Sequence, residues 1–202
     1  MPEFYHNLIT EKSFEVLQGL RRKFDFILIG GWAVFLYTKG LKSKDIDIIL
    51  DYSDLAKIKK EFGVSKNERL KKYETKIDGI SIDIYLPYFS ELGFPAEDIK
   101  NYCRSFEGFI VPSPEAMLIL KAHVLKERSG TAKGRKDLLD IFSLFEKTKI
   151  DWKIYHKLIK KYGFEKLRKE LKKAVLQQTR LAEIGLTNHK IAKLKKEVLK
   201  NI

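Results

Sequence analysis

Residues 30–47 read GGWAVFLYTKGLKSKDID. A paired glycine breaks an apolar run that began at Phe26, and two aspartates spaced two apart open the next one, DIDIIL. The spacing predicts a strand over Asp45–Leu50, and alternation along it puts the Asp45 and Asp47 carboxylates on one face and Ile46 and Ile48 on the other. Paired carboxylates of this kind suit a hard divalent cation, which takes oxygen ligands together with substrate phosphates. On its own a D-x-D is more often the solvated face of a strand, so its neighbours decide the reading.

Upstream, the β-rich run DFILI ends in Gly30-Gly31 and Trp32–Tyr37 reads as a helix. Glycines at a strand-to-helix junction let backbone N–H groups and the helix N-terminus approach a phosphate, though any tight turn uses them as well. Trp32 and Phe35 read as core. Downstream, Asp78-Gly79 between two alternating segments is a hairpin signal. In its second arm, ISIDIYL, Ile80, Ile82, Ile84 and Leu86 share one side, while Ser81, Asp83 and Tyr85 share the other. Asp83 is thus a third carboxylate on a polar strand face, able to complete a two-metal site with ions about 3.5–4 Å apart.

The remaining elements follow from capping and periodicity. An amphipathic helix is expected over Asn7–Lys23, and a helix capped by Ser53 runs to Gly63. FEGFIVP reads as one short strand. At Ser113-Pro114-Glu115 the character changes: an N-cap, an N1 proline and an early acidic residue launch a helix to about Arg128, and everything beyond it is helical. The expected organisation is an α+β body over residues 1–112, with a small mixed β-sheet flanked by helices, followed by a helical domain over 113–202.

Charge separates the two halves. Of the excess of 13 positive charges, ten lie in residues 151–202, which carry 15 Lys or Arg against 5 Asp or Glu. A basic region on a nearly neutral body suits phosphate neutralisation on a nucleic acid; a Lys- and Glu-rich heat-adapted surface would read the same. The longest uncharged run, Phe26–Thr38, is shorter than the ~20 residues of a spanning helix, so no membrane segment is expected. No secretory signal is evident, and Cys103, the single cysteine, allows no internal disulfide; a cytoplasmic location is expected. Cys103 has no His/Asp partner in the sequence pattern and reads as buried rather than nucleophilic.

The order strand, Gly-Gly, helix, Ser43, D-x-D strand and later acidic strand residue resembles the nucleotidyltransferase superfamily of DNA polymerase beta type. The segment PSPEAMLILKAHVLKERSGTAKGRKDLLDIF is similar to the AbiEii/MenT toxin nucleotidyltransferases, in which a helix lysine precedes a basic residue, Asp, two residues and Asp. The likeness covers about residues 28–145. It implies a nucleotidyltransferase fold in which Gly30, Gly31 and Ser43 hold the triphosphate of an NTP. Asp45, Asp47 and Asp83 would ligate two Mg²⁺ ions, with Asp83 helping to activate the acceptor hydroxyl. Lys121 falls on the lysine position, and Lys136, Asp137 and Asp140 on the second motif. Here the sequence departs from the pattern: Leu41 stands where a basic residue is usual, with Lys42 next to it, and Lys136 where arginine is usual. Read as chemistry, Lys121 suits the β- and γ-phosphates and Asp137 could orient it, while Lys136 and Asp140 form an i,i+4 pair open to a plain surface ion pair. His123 is given no chemistry.

The resemblance implies transfer of a nucleoside monophosphate from an NTP to an acceptor hydroxyl, with release of pyrophosphate. The basic C-terminal helices and the toxin likeness favour RNA, a tRNA 3′ end, as acceptor. Tyr155, Tyr162 and Phe164 are the rings considered for stacking on unpaired bases. Alternatives are a protein Tyr, Ser or Thr, a small molecule, or an inactive nucleotide- or RNA-binding module, against which three intact carboxylates count. The toxin likeness further implies a cognate antitoxin, and Ser43, beside the D-x-D, is the natural target if phosphorylation controls the site.

Overall fold

A computed structural model describes residues 3–202. The chain divides into two units: the first runs to Glu91 and resumes over Pro95–Pro112, and the second holds Leu92–Phe94 and Ser113–Ile202.

In the first unit, α1 (Glu3–Arg21) precedes the apolar run, which splits at its glycines into strand β1 (Ile27–Ile29) and helix α2 (Gly30–Thr38). Then come β2 (Ile46–Ile49) and α3 (Tyr52–Glu61). Strand β2 begins one residue later than the alternation predicts, leaving Asp45 exposed in the preceding bend. The N-cap of α3 is Asp51, and Ser53, expected as the cap, lies inside the first turn. A short strand β3 (Ser65–Asn67), unforeseen in its polar sequence SKN, pairs with β4 (Lys72–Ile77).

The predicted hairpin joins β4 to β5 (Ile80–Tyr85), with Asp78 at φ 50° and Gly79 at φ 82°. Positive φ at both turn residues matches the right-handed twist of the flanking strands. After α4 (Ala96–Ile99) come β6 (Cys103–Phe106) and β7 (Phe109–Pro112). The stretch read as one strand, FEGFIVP, is therefore two, because Glu107 and Gly108, at φ 50° and 79°, make a second tight turn.

These strands form one mixed sheet of order β3-β4-β5-β2-β1-β7-β6. β2 runs antiparallel to β1 and parallel to β5. One face buries Ile46, Ile48, Ile80, Ile82 and Ile84. Trp32 is 1% exposed, donates from Nε1 to Ser13 Oγ at 2.9 Å and meets Phe14 and Phe35, which makes it a core anchor as expected.

The second unit is helical: α5 (Pro114–Glu127), α6 (Ala132–Lys147), α7 (Trp152–Tyr162), α8 (Glu165–Gln177) and α9 (Asn188–Asn201). Ser113 caps α5 as the sequence predicts, its hydroxyl accepting from the Ala116 N–H. Thr131, Asp151 and Thr187 cap α6, α7 and α9 in the same way. No described helix is long and apolar enough to cross a membrane.

Candidate active site

The site begins where β1 becomes α2. Ile29 pairs with Asp47 across the antiparallel β1·β2 ladder, and the next residue, Gly30, turns the chain at φ 69°. A Cβ built on Gly30 would lie 2.1 Å from Asp47 Oδ2, so the aspartate side chain occupies the space that only glycine leaves. Helix α2 starts on this glycine with no side-chain cap hydrogen bond from Ile29 and no acidic residue in its first turn. A helix start of that composition attracts anions.

On the other side of β2, Asp47 is the register partner of Asp83 on β5. Facing residues of adjacent parallel strands point the same way and lie about 4.8 Å apart along the backbone ladder, so the two carboxylates share one face. The β4·β5 hairpin then sets Glu74 opposite Asp83.

Lys72, two residues from Glu74 and on the same face, donates from Nζ to Asp83 Oδ2 at 2.6 Å and makes an ion pair with Glu74 Oε1 at 2.8 Å. Its side chain is 12% exposed. Burial works against the ammonium, but the hydrogen bonds to the two carboxylates outweigh it and the Lys72 pKa is raised. Glu74 is shifted down by the same contact.

Sequence reasoning missed Lys72 and Glu74, although the signal was present. A two-residue turn at 78–79 pairs 77 with 80 and hence 74 with 83, which brings 72 alongside.

Asp45, one of the three expected ligands, is exposed in the bend before β2. Among the described residues no three Asp, Glu, His or Cys side chains are gathered as a metal cluster. Asp47 and Asp83 nonetheless fit a hard divalent cation, and a cation in the form of the Lys72 ammonium already rests on Asp83. Ser43 is buried, which conceals its hydroxyl from a modifying enzyme in this conformation.

In the helical unit, Lys121 on α5 is 6% exposed. Its Nζ donates to Asp137 Oδ1 at 3.1 Å and pairs with Asp140 Oδ2 at 2.7 Å, both on α6. Arg128 Nη1 lies 3.7 Å from Asp137 Oδ2. Lys121 and Arg128 thus stand as two cations against the two buried carboxylates. Burial disfavours the Lys121 ammonium, yet the attraction of Asp140 and Asp137 dominates and its pKa is raised; burial also pushes the Asp140 carboxyl up.

Asp140 is 1% exposed and held by Lys121, with Lys136 also attracting its carboxylate, so the i,i+4 pair is not the plain surface pair considered from the sequence. Tyr155 is buried, and Tyr162 and Phe164 stack on each other and pack against Phe94, so the rings considered for base stacking serve the core of this unit. The Cys103 thiol, pushed up to about 12 by burial and donating to the Ile99 carbonyl, is no nucleophile.

No family model matches the chain, and no curated protein matches it. Solved structures do. JHP933 from Helicobacter pylori aligns at a TM-score of 0.54 with 14% identity, over 98% of this chain and 91% of that one. A Helicobacter pylori protein described as a candidate nucleotidyltransferase aligns at 0.52 with 14% identity, over 99% and 96%. TM1012 of Thermotoga maritima, described in the same terms, aligns at 0.45 with 22% identity, over 64% and 94%. The mixed seven-stranded sheet, the glycine turn beside Asp47 and the two Helicobacter pylori alignments agree: the chain has the nucleotidyltransferase fold.

Proposed function

We propose that the protein is a Mg²⁺-dependent nucleotidyltransferase that moves a nucleoside monophosphate from an NTP to the hydroxyl of an RNA, a tRNA 3′ end. One observation carries the reaction class. Asp47 and Asp83 stand in register on adjacent parallel strands, and Asp47 packs into the space left by Gly30 at the start of α2.

In this reading the turn at Gly30-Gly31 and the first turn of α2 receive the triphosphate. Asp47, Asp83 and Asp45 would hold the metal, and Mg²⁺ would supply charge neutralisation for the phosphates. The acceptor hydroxyl attacks the α-phosphorus, its proton passes to the Asp83 carboxylate, and the bond to the bridging oxygen of pyrophosphate breaks. Catalysis in this chemistry is positioning and electrostatics, which a rigid sheet provides. Ser43 keeps the triphosphate role that the resemblance gives it, and within the helical unit Asp137 and Asp140 fix the Lys121 ammonium.

The acceptor assignment rests on the last 52 residues, whose lysines at 153, 157, 160, 166, 169, 172, 173, 190, 193 and 196 are all exposed. Such a surface neutralises phosphates without reading bases. A toxin role with a cognate antitoxin belongs to the same proposal.

Incubation with each α-labelled NTP, Mg²⁺ and total tRNA, beside Asp47→Ala, tests it. Label on the tRNA band that vanishes in Asp47→Ala supports the proposal. Label on a protein band transfers the function to protein modification, and no transfer to any added acceptor despite bound NTP leaves the inactive-module reading.

A further inference from the structure

We propose that Lys72 is a positioning residue: its ammonium holds the place of a divalent cation on Asp83, and metal loading moves it off that carboxylate. The inference rests on the nucleotidyltransferase reading of the Asp47–Asp83 face.

Three observations carry it. Lys72 Nζ lies 2.6 Å from Asp83 Oδ2, the oxygen-donor side chain that a metal would take. A Mg²⁺ ligand distance is about 2.0–2.1 Å, so an ammonium and a metal on one carboxylate oxygen would be crowded cations in strong repulsion. On that oxygen one of them must leave.

Second, Lys72 has a place to go. Glu74 Oε1 already holds it at 2.8 Å, and Glu74 is itself held by Asn67 Nδ2, at 3.4 Å to Oε1 and 3.3 Å to Oε2. Rotation about the lysine stem trades two carboxylates for one without leaving the ammonium bare. Third, Asp47 and Asp83 are like charges in register, which neighbouring strands disfavour unless a cation lies close. Lys72 supplies that charge when the metal is absent and keeps the Asp83 side chain aimed along its face. The device makes metal entry an exchange of cations rather than a plain addition.

Two measurements decide it. In the wild-type protein, acetylation of Lys72 by an amine-reactive anhydride, read by peptide mass spectrometry, is expected to rise several-fold at saturating Mg²⁺, while exposed lysines on α9 stay constant. Mn²⁺ affinity, read from the free-ion paramagnetic resonance signal, is expected to be about tenfold tighter in Lys72→Met, which has no cation to displace, and near wild type in Lys72→Arg.

Labelling of Lys72 indifferent to Mg²⁺, or Mn²⁺ affinity in Lys72→Met equal to or weaker than wild type, overturns the exchange. Asp47→Asn separates the two levels. If it loses Mn²⁺ while Lys72→Met matches wild type, only the role of Lys72 fails; if it binds Mn²⁺ as wild type does, the metal-face reading falls and the exchange falls with it.

Discussion

The Cβ that any residue but glycine would carry at position 30 falls 2.1 Å from Oδ2 of Asp47. The aspartate and the glycine are therefore one feature, written 17 residues apart. Gly30→Ala must strain a backbone at φ 69° and push the Asp47 carboxylate away. The strain costs about 1–3 kcal/mol. A displacement near 1 Å lowers transfer on the order of 10²-fold. Calorimetry should show a lower Tm, and labelled-nucleotide transfer a loss larger than the stability change explains.

Asp47→Asn and Asp83→Asn keep shape and remove charge. Each is expected to cut nucleotide transfer by roughly 10²–10³-fold while circular dichroism stays native. Equal loss from both, with unchanged spectra, ties the pair to chemistry; transfer unchanged in either would remove that residue from the site.

Lys121→Met removes from Asp137 and Asp140 the buried cation that they share. Breaking such a pair costs about 3–5 kcal/mol. For a chain of this size the Tm should drop by on the order of 10 °C. The paired change Lys121→Met with Asp140→Asn should recover part of that loss, because it also removes a stranded charge.

Alkaline stability follows from three groups shifted the same way. Cys103, Tyr155 and Lys121 all have folded pKa values above their ordinary 9.0, 10.0 and 10.5, the first two through burial and the third through its carboxylates overcoming burial. A group that holds its proton more tightly when folded contributes stability that is complete below the unfolded pKa and is lost as pH rises toward the folded one. The Tm should be level up to about pH 9 with respect to these groups and fall beyond it. Lys121→Met should flatten the part of the fall above pH 10.5.

Binding of tRNA should weaken linearly on a log–log scale with salt. Lys157 and Lys160 are exposed on α7. Replacing either by Ala should reduce the magnitude of the salt slope by about one if it meets a phosphate. Fluorescence anisotropy across a salt series measures this, and slopes identical to wild type would take α7 out of the RNA surface.

Local chemistry was legible wherever a few adjacent residues decide a conformation. Asp78-Gly79 accept positive φ and close a hairpin, Ser113-Pro114 start a helix, and the alternation of ISIDIYL places Asp83 opposite its isoleucines. The failures were of the same short range. β3 is made of polar residues that pair only because β4 offers an edge, and Glu107-Gly108 split a run that looks continuous in composition.

What the sequence determined by itself is the strand, Gly-Gly, helix and strand order around Asp47, the hairpin that carries Asp83 and the concentration of charge in the last quarter, since each depends on residue type and spacing along the chain. The tertiary structure alone decided which groups meet. Strand order put β5 beside β2, so that Asp83 faces Asp47, and hairpin register put Lys72 on Asp83. The packing of α5 on α6 turned Lys121 toward Asp137 and Asp140. Such meetings depend on contacts between residues distant in the chain, whose energies are set by burial and charge in the folded molecule and leave no periodic mark in the sequence.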